Sequence, residues 1–233
     1  MTDVYPIPDF LRKQPAQIVT QVERPILFSA PMILALLAGT KTQTRRLLYA
    51  MRTASRATCF DMRYPPPPEV PPVGQCWTLS DWRRAKPGDR LWVRETWGTC
   101  EIFDDAAPRD LPSFAPIKYY ADQKIVGATA GYGLMLKARP SIHMPRRFSR
   151  ILLEIVAVRV ERLQDISEAD ARAEGVIEGA GDFAGCFSVP GTQAMSGTTA
   201  KECYARLWDE INGHGSWAAN PWVWVIEFRR VQP

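Results

Sequence analysis

The densest collection of reactive side chains in the sequence is Gly39-Thr40-Lys41-Thr42-Gln43-Thr44-Arg45-Arg46, with one lysine, three hydroxyls and two guanidinium groups behind a glycine. A hydroxyl nucleophile needs a base and a positioning group. Thr44 supplies the hydroxyl. Lys41 can serve as the base once partial burial lowers its pKa, because desolvation disfavours the ammonium form. That pairing points to acyl transfer. The same cluster could hold an anion, although it lacks the glycines and spacing of a phosphate-cradling loop. A spacing of three puts both side chains on one side only where the backbone is turn-like; in an extended strand lysine's length has to compensate. The plain alternative is a basic, hydroxyl-rich surface turn.

Other chemistries find little support. The five cysteines are odd in number and never spaced C-x-x-C, and His143 and His214 stand far apart. Neither a disulfide framework nor a zinc site fits, so no metal and no organic cofactor is expected. No G-x-G-x-x-G, G-x-S-x-G or H-E-x-x-H is present. Net charge is only +4, too small for strong bulk attraction to nucleic acid. The basic residues are mostly arginine, however, and pair at Arg45-Arg46, Arg83-Arg84, Arg146-Arg147 and Arg229-Arg230. Arginine's planar fork suits phosphates and base edges. The longest apolar run, residues 30–38, is far short of a membrane span. The N-terminus lacks a basic region followed by an apolar segment. A soluble, cytoplasmic protein without membrane contact is expected.

The elements that must position the cluster follow from local pattern. Residues 1–23 form a polar, Pro-bearing arm, and 24–233 a single domain. Residues 24–28 (RPILF) suit a short strand. Pro31 opens a helix of strong formers that Gly39 stops, and the Lys41–Thr44 segment then runs as a loop into a strand. Residues 49–87, with their polyproline run, are a surface excursion, since such a run fits neither a central strand nor a helix interior. Pro87-Gly88-Asp89 turns into a strand at 90–97 carrying Leu91, Val93 and Glu95 on one face. Further insertions lie near 100–115, 122–145 and 178–197, interrupted by a short strand at 117–121. Residues 149–161 form the clearest strand, apolar on both sides. Ser167 to Asp170 suits a capping box, and Thr199 with Glu202 caps a second helix with Tyr204, Leu207, Trp208 and Ile211 on one face. Residues 221–231 alternate as a closing strand. Short strands with few helices favour a small mixed barrel over a doubly wound sheet.

Taken in order, GTKTQTRR after the first helix, PGDRLWVRE, ISEADARAEGV and the terminal WVWVIEF resemble the ASCH domains over roughly residues 24–231. SIHMPRRFSR and SWAANPWVWVIEF are similar to ASCH-bearing proteins of phages and prophages. The resemblance implies an α+β fold: a PUA-like mixed β-barrel with short flanking helices and long loop insertions. Small bacterial amidohydrolases of this family remove the acetyl group of N(4)-acetylcytidine. They use a lysine, a threonine three residues on, and a glutamate ending the helix after the long strand. Lys41 and Thr44 match the first two, and Glu174 stands at the third place. Thr44 would then attack the acyl carbonyl, Lys41 would take its proton, and Glu174 would orient the lysine or pass a proton to the leaving amine. Arg45, Arg46 and Trp97 would line the barrel mouth, holding phosphate or a base edge and stacking on a base. Glu95 would lie near the same mouth, binding substrate or paired with Arg94 or Arg46. The partner implied is a nucleoside, RNA or modified nucleic acid. The same resemblance admits a non-catalytic RNA- or DNA-binding module, a ribonuclease or an accessory phage protein. The sequence specifies no oligomeric state.

Overall fold

The computed structural model describes residues 21–53, 75–127, 137–180, 183–190 and 197–231. The expected arm up to residue 20, the polyproline run, and parts of the later insertions (128–136, 181–182 and 191–196) lie outside the described residues.

The last strand sets the layering. In β13 (Trp222–Val231) the side chains of Trp224, Ile226 and Phe228 enter one core, while Val223 and Val225 enter another. A strand of period two with both faces apolar must be covered on both sides. β13 pairs antiparallel with β10 (Leu152–Arg162), whose register shifts between Ile155 and Ala157. β10 pairs in turn with β5 (Arg90–Arg94), and β5 runs parallel to β1 (Glu23–Leu27). On the far side of β13 lies β2 (Gln43–Leu47), giving the order β1-β5-β10-β13-β2.

One face of this sheet is covered by α1 (Ala30–Ala38), the other by α2 (Glu168–Ala173) and α3 (Ala200–Asn212). α1 carries Pro31 in its first turn and ends on Gly39 at φ +77°, a conformation glycine adopts freely. It buries Ile33 and Leu36 against Leu91, Leu153 and Ile226. α2 opens with the expected capping box: the Ser167 hydroxyl accepts from the Asp170 N–H, and the Asp170 carboxylate accepts from the Ser167 N–H. At α3 the Thr199 hydroxyl accepts from the Glu202 N–H. Ala171, Tyr204, Leu207 and Trp208 pack with Val223 and Val225 as the second core.

Smaller sheets attach to this frame. β3 (Tyr49–Thr53) and β4 (Gln75–Leu79) pair antiparallel, so the excursion expected at 49–87 leaves and returns through a ladder. The segments β6 (Trp97–Gly98), β7 (Ile117–Tyr119), β8 (Ile125–Val126) and β9 (Ala138–Arg139) form a sheet ordered β8-β7-β6-β9 over a third core. β11 (Ile177–Glu178) and β12 (Phe187–Ser188) form a two-stranded ribbon.

The coarse α+β class holds, but the expected closed barrel does not. Among the described residues no backbone ladder joins β1 to β2, and the main sheet is open. Five flat strands would hold these edges about 19 Å apart. Yet the Arg46 guanidinium of β2 donates to the Leu27 carbonyl of β1 at 2.7 Å, so the sheet curls strongly. What closes the gap is side chain rather than backbone: the Phe28 and Phe228 rings lie 6.3 Å apart, and the Arg46 cation sits 5.4 Å from the Phe28 centroid. For the same reason β13, expected to close a barrel, is an interior strand. Among the described residues no helix is long and apolar enough to cross a membrane.

Candidate functional site

Lys41 stands just before β2, where it forms an isolated antiparallel bridge with Glu174, the residue that caps α2 at its C-terminus. The Thr42 N–H donates to the Ala173 carbonyl at 2.8 Å, tying the two segments together. This backbone contact brings together side chains 133 positions apart. The Lys41 ammonium donates to Glu174 Oε2 at 2.7 Å and to the Glu174 carbonyl at 2.9 Å. Arg45 donates to Glu174 Oε1 at 3.2 Å. Both cationic side chains are fully buried and the glutamate is 2% exposed. Burial pushes the Lys41 ammonium below its ordinary value, against the pull of Glu174, and the nearby Arg46 and Arg45 charges lower it further.

Gly175 makes this junction possible. Its φ is +103°, and a Cβ there would lie 3.0 Å from the Ala35 Cβ and 3.5 Å from the Lys41 Cβ. Gly175→Ala is therefore expected to cost about 1–3 kcal/mol of stability. Thermal unfolding checks this, as a melting temperature lowered by about 2–4 °C for each kcal/mol lost.

Thr44 lies on β2 opposite Ile226 and is 2% exposed. Thr44 and Arg46 share the sheet face covered by α1, whereas Arg45 faces α2 and α3. The Lys41 ammonium reaches round to the Thr44 face: it lies 5.6 Å from the same Phe28 ring that Arg46 approaches. The Thr44 hydroxyl takes no hydrogen bond from Lys41 in this arrangement; the lysine's acceptors are both on Glu174.

A cavity of about 270 Å³ opens along β2, with Thr44, Arg45, Arg46 and Glu174 in its lining. That volume is just under the roughly 300 Å³ at which small-molecule pockets begin. Its apolar walls come from Met32 of α1, Trp82, and Leu207, Trp208 and Ile211 of α3. Lys41 is not in the lining; its ammonium is bonded to Glu174, which is. Four of the lining residues carry a buried polar atom without a hydrogen-bond partner among the described residues: Arg45 Nε, Arg46 Nε, Ser80 Oγ and Trp208 Nε1. Unpaired buried polar atoms are costly, and three of these four are donors only. The cavity therefore favours an occupant rich in acceptors.

Arg45 is not available to grip a phosphate. Besides Glu174 its guanidinium meets Glu161 and, at 3.6 Å, Asp170. Arg159 extends the network to Glu161, Asp170 and Glu227. Burial raises the Asp170 carboxyl, but the Ser167 hydroxyl and the Arg45 and Arg159 charges outweigh it, leaving the pKa below its usual range. Arg46, its pKa also lowered by burial, holds Leu27.

Two residues expected at this mouth lie elsewhere. Glu95, just past the end of β5, accepts both bonds of a bidentate Arg150 fork at 2.8 Å; Arg150 also binds Asp122 at 2.7 Å and lies 4.1 Å from the Tyr119 ring centroid. Its partner is thus neither Arg94 nor Arg46. The Tyr119 phenol, pushed up to about 12 by burial, donates to the Phe148 carbonyl at 2.9 Å. Trp97 is fully buried in the third core, 5.5 Å from the Phe148 ring. The main sheet ends at Arg94, so both residues pass into the β6–β9 unit and away from the cavity.

The residues that sequence reasoning missed are the walls. Tyr204, Leu207, Trp208 and Ile211 recur at helical spacing and were expected as core. The first three are buried, but Ile211 is 52% exposed and lines the cavity. Ser80 and Trp82 fall in a segment expected to be a surface excursion, and no sequence signal places them here. Among the described residues no cluster of three histidine, cysteine or acidic side chains could hold a metal. No protein-family model, no curated protein and no solved structure matches the chain.

Proposed function

We propose that the protein is an amidohydrolase that removes an N-acyl group from a cytidine-type base, with the chemistry the ASCH resemblance implies but on an open sheet. The observation that carries this reading is the meeting of Lys41 and Glu174 at 2.7 Å, from distant parts of the chain, beside a cavity lined by Thr44. In the proposed reaction Lys41, its pKa lowered by burial, loses its proton to solvent, and Glu174 orients the neutral amine. The amine accepts the Thr44 proton as Oγ1 bonds to the acyl carbon. The tetrahedral oxyanion collapses, the C–N bond breaks, and the departing exocyclic nitrogen receives a proton from the Lys41–Glu174 pair. Water then hydrolyses the acyl-threonine, releasing the acid and restoring the hydroxyl. The unpartnered Arg46 Nε is a candidate donor to the oxyanion.

The pH dependence follows from the lysine. Burial lowers its pKa from 10.5, so the neutral amine becomes available below that value. The predicted kcat/KM therefore rises about tenfold per pH unit at low pH and levels off before the ordinary lysine range. Cytidine release from N(4)-acetylcytidine, separated by chromatography across the pH range, tests this. Lys41→Arg, which stays cationic, is expected to remove both the activity and the rise. No release by folded wild-type protein at any pH would exclude the substrate.

A second reading has its own support. Lys41 makes no hydrogen bond to Thr44 and is absent from the cavity lining, which favours a module that holds a base or RNA without turnover. RNA affinity that falls steeply with salt, with N(4)-acetylcytidine left intact, would select it.

A further inference from the structure

Four consecutive residues, Thr44 to Leu47, line the cavity. Their side chains alternate between the two faces of the sheet: Thr44 and Arg46 lie opposite Ile226 and Trp224, Arg45 and Leu47 opposite Val225 and Val223. Only the edge of a strand can meet all four, and β2 is the last strand of its sheet. The Phe228 N–H donates to the Thr42 carbonyl and the Leu48 N–H to the Trp222 carbonyl. In an antiparallel ladder such pairs recur at alternate residues. The even-numbered residues of β2 therefore turn their N–H and C=O groups toward β13, and Arg45 turns both of its own toward the cavity. Neither group has a hydrogen-bond partner among the described residues.

Arg45 is 4% exposed, so an unpaired peptide group there is costly. The edge is also short. At its start Lys41 bridges to Glu174 and Thr42 bonds to Ala173, which blocks a strand from being added along β2. What fits is a flat group presenting one donor beside one acceptor, in a cavity whose lining includes Trp82 and Trp208.

We propose that the backbone of Arg45 reads the edge of the base: its N–H donates to a ring nitrogen or carbonyl, and its C=O accepts from the adjoining N–H. This rests on the nucleobase reading above. In N(4)-acylated cytosine the ring N3 and the exocyclic N–H form such a pair. The side chain of Arg45 anchors Glu174 while its peptide group recognises the ligand.

The test uses the full-length Thr44→Val protein, labelled with nitrogen-15, titrated with N(4)-acetylcytidine. The Arg45 amide resonance is expected to shift on binding, and its hydrogen exchange to slow about tenfold or more. Replacing Arg45 by its α-hydroxy analogue turns the peptide N–H into an ester oxygen and is expected to weaken binding about three- to tenfold. If the nucleoside binds while the Arg45 amide neither shifts nor slows, the edge-reading proposal falls and the nucleobase site stands. If no nucleoside binds, both fall.

Discussion

Thr44→Val is expected to reduce release of cytidine from N(4)-acetylcytidine by about 10³-fold or more, because nucleophile and base act as a unit. Valine keeps the branched shape of threonine, and the residue is buried opposite Ile226 in β2. Loss of one hydroxyl with no hydrogen bond to Lys41 should change stability by no more than about 1 kcal/mol. A melting curve that overlays the wild type, together with a lost rate, assigns the hydroxyl to chemistry. A loss of only a few fold would mean that another group attacks the carbonyl, and the acyl-threonine step would have to be abandoned.

Glu174→Gln is expected to cost about 3–5 kcal/mol of folding stability, the usual result of removing one partner from a buried ion pair. The amide leaves the Lys41 ammonium fully buried without a carboxylate, whereas Arg45 keeps Glu161 and Asp170. The deficit should depend on pH. Burial already lowers the Lys41 pKa from 10.5 with Glu174 opposing the shift, and without that carboxylate it falls further. The unfolded chain then binds a proton that the folded chain does not, so stability rises with pH up to the unfolded value. The loss in urea midpoint should thus be largest below the folded pKa and shrink as pH approaches 10.5. Adding Lys41→Met in the same chain should recover much of the deficit, since an apolar side chain needs no counter-charge. Equal midpoints for wild type and Glu174→Gln would show that the pair adds nothing to the fold.

Much of the frame was legible because local rules and tertiary demands agree. Alternation along β13, the Ser167 and Thr199 caps and the Gly39 stop all give the elements found. The contact between Lys41 and Glu174 was not available from periodicity or spacing. It depends on an isolated bridge between segments 133 residues apart, and only the family resemblance pointed to that glutamate. The barrel failed at the same level. Whether β1 and β2 pair is a tertiary outcome with no local signature: the Arg46 side chain reaches the Leu27 carbonyl where a closed barrel would carry a backbone ladder. Glu95 and Trp97 lie away from the cavity because residues 90–97 do not form one strand. The ladder with β10 ends near Trp92, and the chain beyond Arg94 joins a different sheet. The backbone edge at Arg45 has no sequence signature at all, since any residue carries the same peptide group.

The most direct measurement is an experimental structure of the Thr44→Val protein with N(4)-acetylcytidine bound. The acyl carbonyl carbon should lie about 3–3.5 Å from the position of the missing hydroxyl, as a near-attack geometry requires, with the Lys41–Glu174 pair behind it. Nucleoside seated instead in the shallow groove beside Arg94 and His143, or a cavity left empty at saturating concentration, would contradict the account.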